Sequence, residues 1–287
     1  MSLENQRNWL RLAFLSEVQF ADVYVLLKTF GLPENIFSQS LSSLMNVLPQ
    51  NEAMAVHRCP DQETEHRIDK VIGWLTDIPS VRVLVPSDAD FPQRFLTLPQ
   101  PPLVVLSAGN IELMKRPTVS LVGSSHPSSL AESTTQSWVQ ALMTKNLSLV
   151  QGDSEGIEKI GLMTALQSNS DSLVIVTKNP LMESNFEQKL LFMSNKGLLL
   201  SPLENSPDPW LARQRLLIAS TDHFVVIQAS IRSKVLPLIR EAADVGRNIM
   251  AVPGSIHSPL SKGCHKLIRE GAKLVESVDD IFNEIEN

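Results

Sequence analysis

Three short stretches of this sequence combine glycines, hydroxyls and cations in the way an anion-holding loop requires. Gly123-Ser124-Ser125-His126-Pro127-Ser128 follows an apolar run; its glycine lets backbone approach a ligand, and its hydroxyls can donate to phosphate. The same residues also suit a serine-rich N-cap for a following helix. Gln151-Gly152-Asp153-Ser154-Glu155-Gly156-Ile157-Glu158 follows a second apolar run, but its acids complement a helix dipole and repel an anion, so this stretch alone favours capping. The third, Ala251-Val252-Pro253-Gly254-Ser255, leads to Ser261-Lys262-Gly263-Cys264-His265-Lys266. There Lys262 and Lys266 lie one helical turn apart and share a face, which fits a phosphate contact or a solvated surface.

The cations gather late in the chain. The 287 residues carry a net charge of -6, yet Arg213 to Lys273 holds ten Lys and Arg against four Asp and Glu, leaving the remainder at -12. Arg213, Arg215, Lys234, Lys262 and Lys266 fall in or beside the ligand-end loops, so they are the expected phosphate contacts. With one tyrosine and four tryptophans, backbone contacts are expected to dominate over base stacking.

Other chemistry is poorly supported. There is no G-x-G-x-x-G and no G-x-x-x-x-G-K-[ST], so neither a dinucleotide fingerprint nor a P-loop is present, and no cofactor is expected. His57, His66, His126, His223, His257 and His265 form no i, i+4 pair with a nearby third ligand, and Cys59 and Cys264 are too few for a thiolate cage, so no metal is expected. No apolar run reaches the eighteen or so residues of a membrane span, and the first residues lack a basic region followed by an apolar stretch. A cytoplasmic protein is the expectation.

These loops need elements to hold them. Residues 1–78 show helical spacing, as in Trp9, Leu12, Ala13 and then Val23, Leu26, Leu27, Phe30, closed by Gly31-Leu32-Pro33. A small all-helical domain is expected there. Residues 79–117 contain seven of the 18 prolines and read as an extended connector with at most a short strand at Leu103-Val104-Val105-Leu106. From residue 118 onward, apolar runs alternate with stretches of helical length. The runs are Val119–Val122, Ser148–Val150, Leu173–Val176, Leu198–Leu200, Phe224–Ile227 and Ile249–Val252; helices are expected around 130–145, 155–168, 184–196, 209–219, 233–245 and 262–270. Strands apolar throughout suit burial on both faces, and repeated strand–helix units imply an open, doubly wound parallel α/β sheet over 118–287. Ligands of such a sheet sit at the strands' carboxyl ends, so Gly123, Gly152 and Gly254 should cluster around one crevice.

In order and spacing, Phe91-Pro92, Pro101-Pro102, Val122-Gly123-Ser124, Gly152 with Gly156-Ile157, Arg213-Gln214-Arg215, Gly246-Arg247, Val252-Pro253-Gly254 and Ser261-Lys262-Gly263 with Gly271-Ala272 resemble the DprA/Smf family of DNA-processing proteins. The resemblance spans roughly residues 85–281, and the helical start is similar to that family's sterile-alpha-motif-like domain. It implies an extended Rossmann-like fold and a homodimer that binds single-stranded DNA and helps load the recombinase RecA in natural transformation. On that reading Gly123, Ser124, Ser125, Gly152, Gly156, Arg213, Arg215, Lys234, Gly254, Lys262 and Lys266 form the nucleic-acid site. Some motifs are altered: a usual Gly-Ser-Arg is Gly123-Ser124-Ser125, which lacks a guanidinium, and the loop at Ser233-Lys234 lacks the family's glycine and hydroxyls.

Two other classes stay open. A phosphoribohydrolase-like enzyme would need a Pro-Gly-Gly-x-Gly-Thr loop with a catalytic acid, of which Pro253-Gly254-Ser255 offers only the beginning, so no enzyme is expected. A Rossmann module that acts through protein contacts alone would look like this sequence.

Overall fold

The computed structural model of the chain describes residues 3–15, 17–168, 172–178, 181, 197–204 and 208–286. Six helices come first: α1 (Leu3–Ala13), α2 (Phe20–Phe30), α3 (Pro33–Phe37), α4 (Leu41–Met45), α5 (Gln50–Arg58) and α6 (Gln62–Asp77). The expected apolar stripes do face inward, with Trp9, Leu12, Ala13, Val23 and Leu26 buried. Helix α2 stops where predicted. Gly31 adopts φ +82° and returns its N–H to Leu27 O at 3.0 Å, while Pro33 opens α3 at a position needing no amide donor.

The remaining elements are β1 (Val81–Leu84), β2 (Val105–Gly109), β3 (Thr118–Gly123), α7 (Ser129–Leu142), β4 (Ser148–Gly152), α8 (Ile157–Gln167), β5 (Leu173–Val176), β6 (Gly197–Pro202), α9 (Pro209–Ser220), β7 (His223–Gln228), α10 (Val235–Asp244), β8 (Asn248–Ala251), α11 (Lys262–Arg269), β9 (Lys273–Leu274) and α12 (Val278–Glu286). One nine-stranded sheet has the order β1-β2-β6-β5-β4-β3-β7-β8-β9. All six expected strands are present, as are the expected helices except that around 184–196, which lies outside the described residues. The stretch 79–117 is more than a connector. It contributes β1 and β2, which extend the sheet beyond β6 in antiparallel fashion, with Val105 opposite Pro202 and Val81 opposite Ala108. The otherwise parallel sheet is therefore mixed.

Side chains of the parallel strands alternate between two apolar layers, as a two-residue period dictates. Val119, Leu121, Leu149, Leu173, Val225 and Ile227 enter one layer; Val122, Val150, Val174, Phe224 and Val226 enter the other. The first layer runs on without a break into the N-terminal helices through Ile78 and Trp74. Between β3 and β4 the direct ladder covers only Thr118–Ser148 and Val119–Leu149. Beyond it the strands part, and the fully buried Gln151 fills the gap: its amide donates to Leu121 O at 3.0 Å and accepts from Leu121 N at 3.3 Å. A backbone pair that would otherwise lie buried and unbonded is thereby satisfied.

Candidate nucleic-acid interface

The chain starts its parallel sheet at β3, winds outward through β4 and β5 to β6, and returns to β7 on the other side of β3. That reversal makes β3 and β7 the switch point, where loops diverge and leave a crevice beyond the carboxyl ends. A cavity of about 840 Å³ lies there. It is lined by Gly123 to His126 after β3, Asp153 to Glu155 and Glu158 after β4, Lys178 after β5, Trp210, Arg213 and Gln214 of α9, and Ser230 with Arg232 to Val235 after β7.

Close backbone approach builds this crevice. A Cβ on Gly123 would stand 2.7 Å from Gln228 O, and Ser124 N donates to that oxygen at 2.7 Å. Gly156, at φ +81°, turns the chain against the first loop; a Cβ there would meet Ser124 O at 2.1 Å. Ile157 N then donates to Ser124 O at 3.1 Å, tying the two loops together. Gln228 reaches across as well, accepting from Ser128 N at 2.9 Å and donating to Ser128 Oγ at 2.9 Å. Ser128 itself caps α7 by accepting from Ala131 N. Gly123, Gly152 and Gly254 all follow strand ends, as expected. Gly123 lines the crevice, Gly152 backs it against Arg213, and Gly254 packs on Ser261, next to the lining residue Leu260.

The charges are arranged differently from the sequence expectation. Arg213 lines the crevice wall, but its side chain is 2% exposed and its guanidinium is held by Asp153 Oδ1 at 2.8 Å and Glu158 Oε2 at 2.5 Å. Burial works against that charge, but the two carboxylates outweigh it and hold the proton more firmly than usual. The acids after β4 therefore serve a buried arginine. Arg215, two residues on, points away from the crevice. It donates to Glu204, lies 4.1 Å over the Phe20 ring and donates to Gln100 Oε1 at 3.3 Å, clasping α2 and the stretch ahead of β2 to α9. Neither guanidinium stands free to meet a phosphate.

Lys234 does line the crevice, at the N-terminal boundary of α10, and is exposed. Ser124 and Ser125 line it too. Lys262 and Lys266 lie on α11 outside the lining, and Lys266 approaches Glu270 at 3.7 Å. Three residues went unnoticed in the sequence. Lys178 and Arg232 are exposed at the crevice and make no ion pair with the described residues, and Trp210, 41% exposed, stands between the cations, with Arg213 Cζ 4.9 Å and Lys178 Nζ 5.7 Å from its ring centre. Lys178 and Arg232 were accessible to sequence reasoning, since each lies in the loop that follows a strand whose carboxyl end faces the ligand side.

Among the described residues no group of three or more His, Cys, Asp and Glu could hold a metal, and no helix is long and apolar enough to cross a membrane.

Comparison with known proteins agrees with the motif pattern. The DNA processing protein DprA of Streptococcus pneumoniae is 31% identical over 214 residues, covering 72% of this chain and 74% of its own. The DprA of Bacillus subtilis is 26% identical over 208 residues, covering 69% of each chain. Among solved structures, DprA from Streptococcus pneumoniae superposes with a TM-score of 0.71 at 24% identity, covering 96% of this chain and 97% of its own. DNA processing protein A from Helicobacter pylori, described for its single-stranded DNA binding mode, gives 0.59 at 22% identity over 71% of this chain and 95% of its own. The family model for DNA recombination-mediator protein A matches residues 82–286, from β1 through the crevice to the last helix, and the chain belongs to that family.

Proposed function

We propose that the crevice at the switch point binds single-stranded DNA, and that the protein holds such strands as a homodimer for a RecA-type recombinase during natural transformation. The observation that carries the first part is the grouping of Lys178, Arg232 and Lys234, all exposed, around an exposed indole at Trp210. Exposed cations that make no ion pair with the described residues draw a phosphate backbone, and a half-exposed indole offers one face to an unstacked base. A duplex has no free base face to offer, so the arrangement favours single strands. The reading is supported by family membership and by the relative from Helicobacter pylori that binds single-stranded DNA. The sequence-based expectation that stacking plays little part is revised here, because the single exposed tryptophan stands at the site.

Trp9, Trp74 and Trp138 are buried, so surface quenching of tryptophan emission reports on Trp210. Titration with oligothymidylate is expected to quench that emission, and Trp210→Ala to weaken binding by about 1–3 kcal/mol. Duplex of equal length should compete poorly. Equal affinity for duplex, or parental affinity in Trp210→Ala together with Lys178→Ala, would remove the reading of this crevice, and failure to bind either form of DNA would favour a module acting through protein contacts alone. Sedimentation with and without RecA tests the two partner proposals separately.

A further inference from the structure

We infer that His126 supplies a protonation-dependent phosphate contact on the β3–α7 loop, so that this crevice holds single-stranded DNA more tightly as pH falls. The inference rests on the reading of the crevice given above and adds a binding residue and a regulating variable to it.

The loop that carries His126 is fixed by bonds that do not involve the imidazole's outer edge. Ser124 N is held by Gln228 O, Ser124 Oγ donates to His126 O at 2.9 Å, and His126 N donates back to Ser124 Oγ at 3.1 Å. The ring itself is tethered through Nδ1, 3.1 Å from Ser125 Oγ. A serine hydroxyl donates to a neutral ring nitrogen and accepts from a protonated one, so the tether survives either charge state. His126 is exposed and lines the crevice, leaving Nε2 for a ligand.

The charged groups facing the crevice decide what that ligand is. From the β4–α8 loop and the first turn of α8 come Asp153 and Glu158, both taken by Arg213, and Glu155, paired with Lys159 at 2.8 Å. Lys178 comes from beyond β5, Arg213 from α9, and Arg232 and Lys234 from the β7–α10 loop. Among the described residues each carboxylate at the mouth thus has a cation, and His126 makes no ion pair with any of them. A strand phosphate threading between Lys178, Arg232 and Lys234 would be the counter-charge that a protonated His126 otherwise lacks. Histidine is the side chain that ordinarily changes charge between pH 5 and 8, while lysine, arginine, carboxylates and phosphodiesters keep theirs over that range. An anion beside an imidazole favours its charged form, so binding must take up a proton.

The test measures dissociation constants for oligothymidylate, whose bases do not protonate in this range, from about pH 5.5 to 8.5 at constant ionic strength. The parent should tighten several-fold toward acid. His126→Gln should be flat at the weak end, and His126→Arg flat at the tight end. Calorimetry in buffers of different ionisation heat should show proton uptake in the parent and none in His126→Gln, with His265→Gln as the control for the neighbouring loop. Pronounced pH dependence that persists in His126→Gln, or parental binding that does not vary with pH, overturns the inference alone. Failure of the parent to bind single strands at any pH overturns the crevice reading, and this inference with it.

Discussion

Gly152 and Arg213 occupy a space that admits only one side chain: a Cβ on Gly152 would stand 1.6 Å from Arg213 Nη2 and 2.0 Å from Glu158 Oε2. The buried guanidinium is thus packed on bare backbone at the end of β4, with Asp153 and Glu158 closing over it. Gly152→Ala should expel Arg213 from its carboxylates and cost about 1–3 kcal/mol from overpacking before the lost ion pairs are counted. Arg213→Ala leaves two carboxylates without their cation and should cost about 3–5 kcal/mol. Denaturant midpoints would measure both. If Arg213→Ala were as stable as the parent and weakened DNA binding only, Arg213 would be a phosphate contact after all.

The salt dependence of binding separates the crevice cations from those of α11. Each phosphate contact to a single strand contributes about -0.7 to the log–log slope of affinity against salt. Lys178→Ala, Arg232→Ala and Lys234→Ala should each make the slope shallower by about that amount. Lys262→Ala and Lys266→Ala, outside the lining, should leave it unchanged. A slope that responds to Lys262 and Lys266 instead would move the strand's path across α11.

Much of this arrangement was legible in the sequence, and the gaps have physical reasons. Strands β3 to β8 announce themselves because burial on both faces demands uninterrupted apolar runs such as Leu173-Val174-Ile175-Val176. Strand β1 does not, since Val81-Arg82-Val83-Leu84 is four residues long among prolines and its partner β2 lies 21 residues on, so nothing local encodes the pairing. Arg213 and Arg215 were both assigned to the crevice by their charge. On a helix, residues two apart point to different sides, so both could not have faced one ligand. Which carboxylates would take Arg213 depended on contacts between residues 55 and 60 positions apart, beyond the reach of spacing rules.

Burial sets the behaviour of both cysteines. It pushes the Cys59 thiol up to about 12 and the Cys264 thiol up to about 11. Iodoacetamide near pH 8 should therefore label neither in the folded protein and both in denaturant, because the thiolate is the nucleophile. The sign for stability follows from the same shift. Unfolded thiols ionise near 8.5, so their contribution is complete below that pH and is lost as pH rises through about 11 to 12. The double variant Cys59→Ala with Cys264→Ala should flatten the alkaline limb of a stability-against-pH curve. Cys264 is buried and Cys59 partly exposed, so rapid labelling of the native protein would show that a thiolate forms there more readily than the upward shift allows.

The clasp between α9 and the helical domain is the last point that mutation can settle. Arg215 donates to Glu204 and lies over Phe20, whose ring meets Tyr24 edge-on at 5.3 Å, and Tyr24 Oη donates to Pro101 O. Burial drives the Glu204 carboxyl upward, and Arg215 opposes that shift without cancelling it. The sign is that of an acid raised on folding: this carboxyl favours the fold at low pH and charges it with a desolvation cost as pH rises through its folded value. Removing Arg215 alone should therefore be the severe change, since the buried Glu204 would then lose the guanidinium that opposes its desolvation. Arg215→Met is expected to cost about 3–5 kcal/mol at neutral pH, and to recover part of that on acidification as Glu204 protonates. Arg215→Met with Glu204→Leu should be near parental stability, because an apolar pair of similar volume avoids both desolvation costs. Trp210 shares α9 with Arg215, so emission from Trp210 reports whether the single variant also disturbs the crevice. A double variant as unstable as Arg215→Met alone would show that the ion pair itself, rather than the avoidance of an uncompensated desolvation cost, holds the N-terminal helices to the sheet.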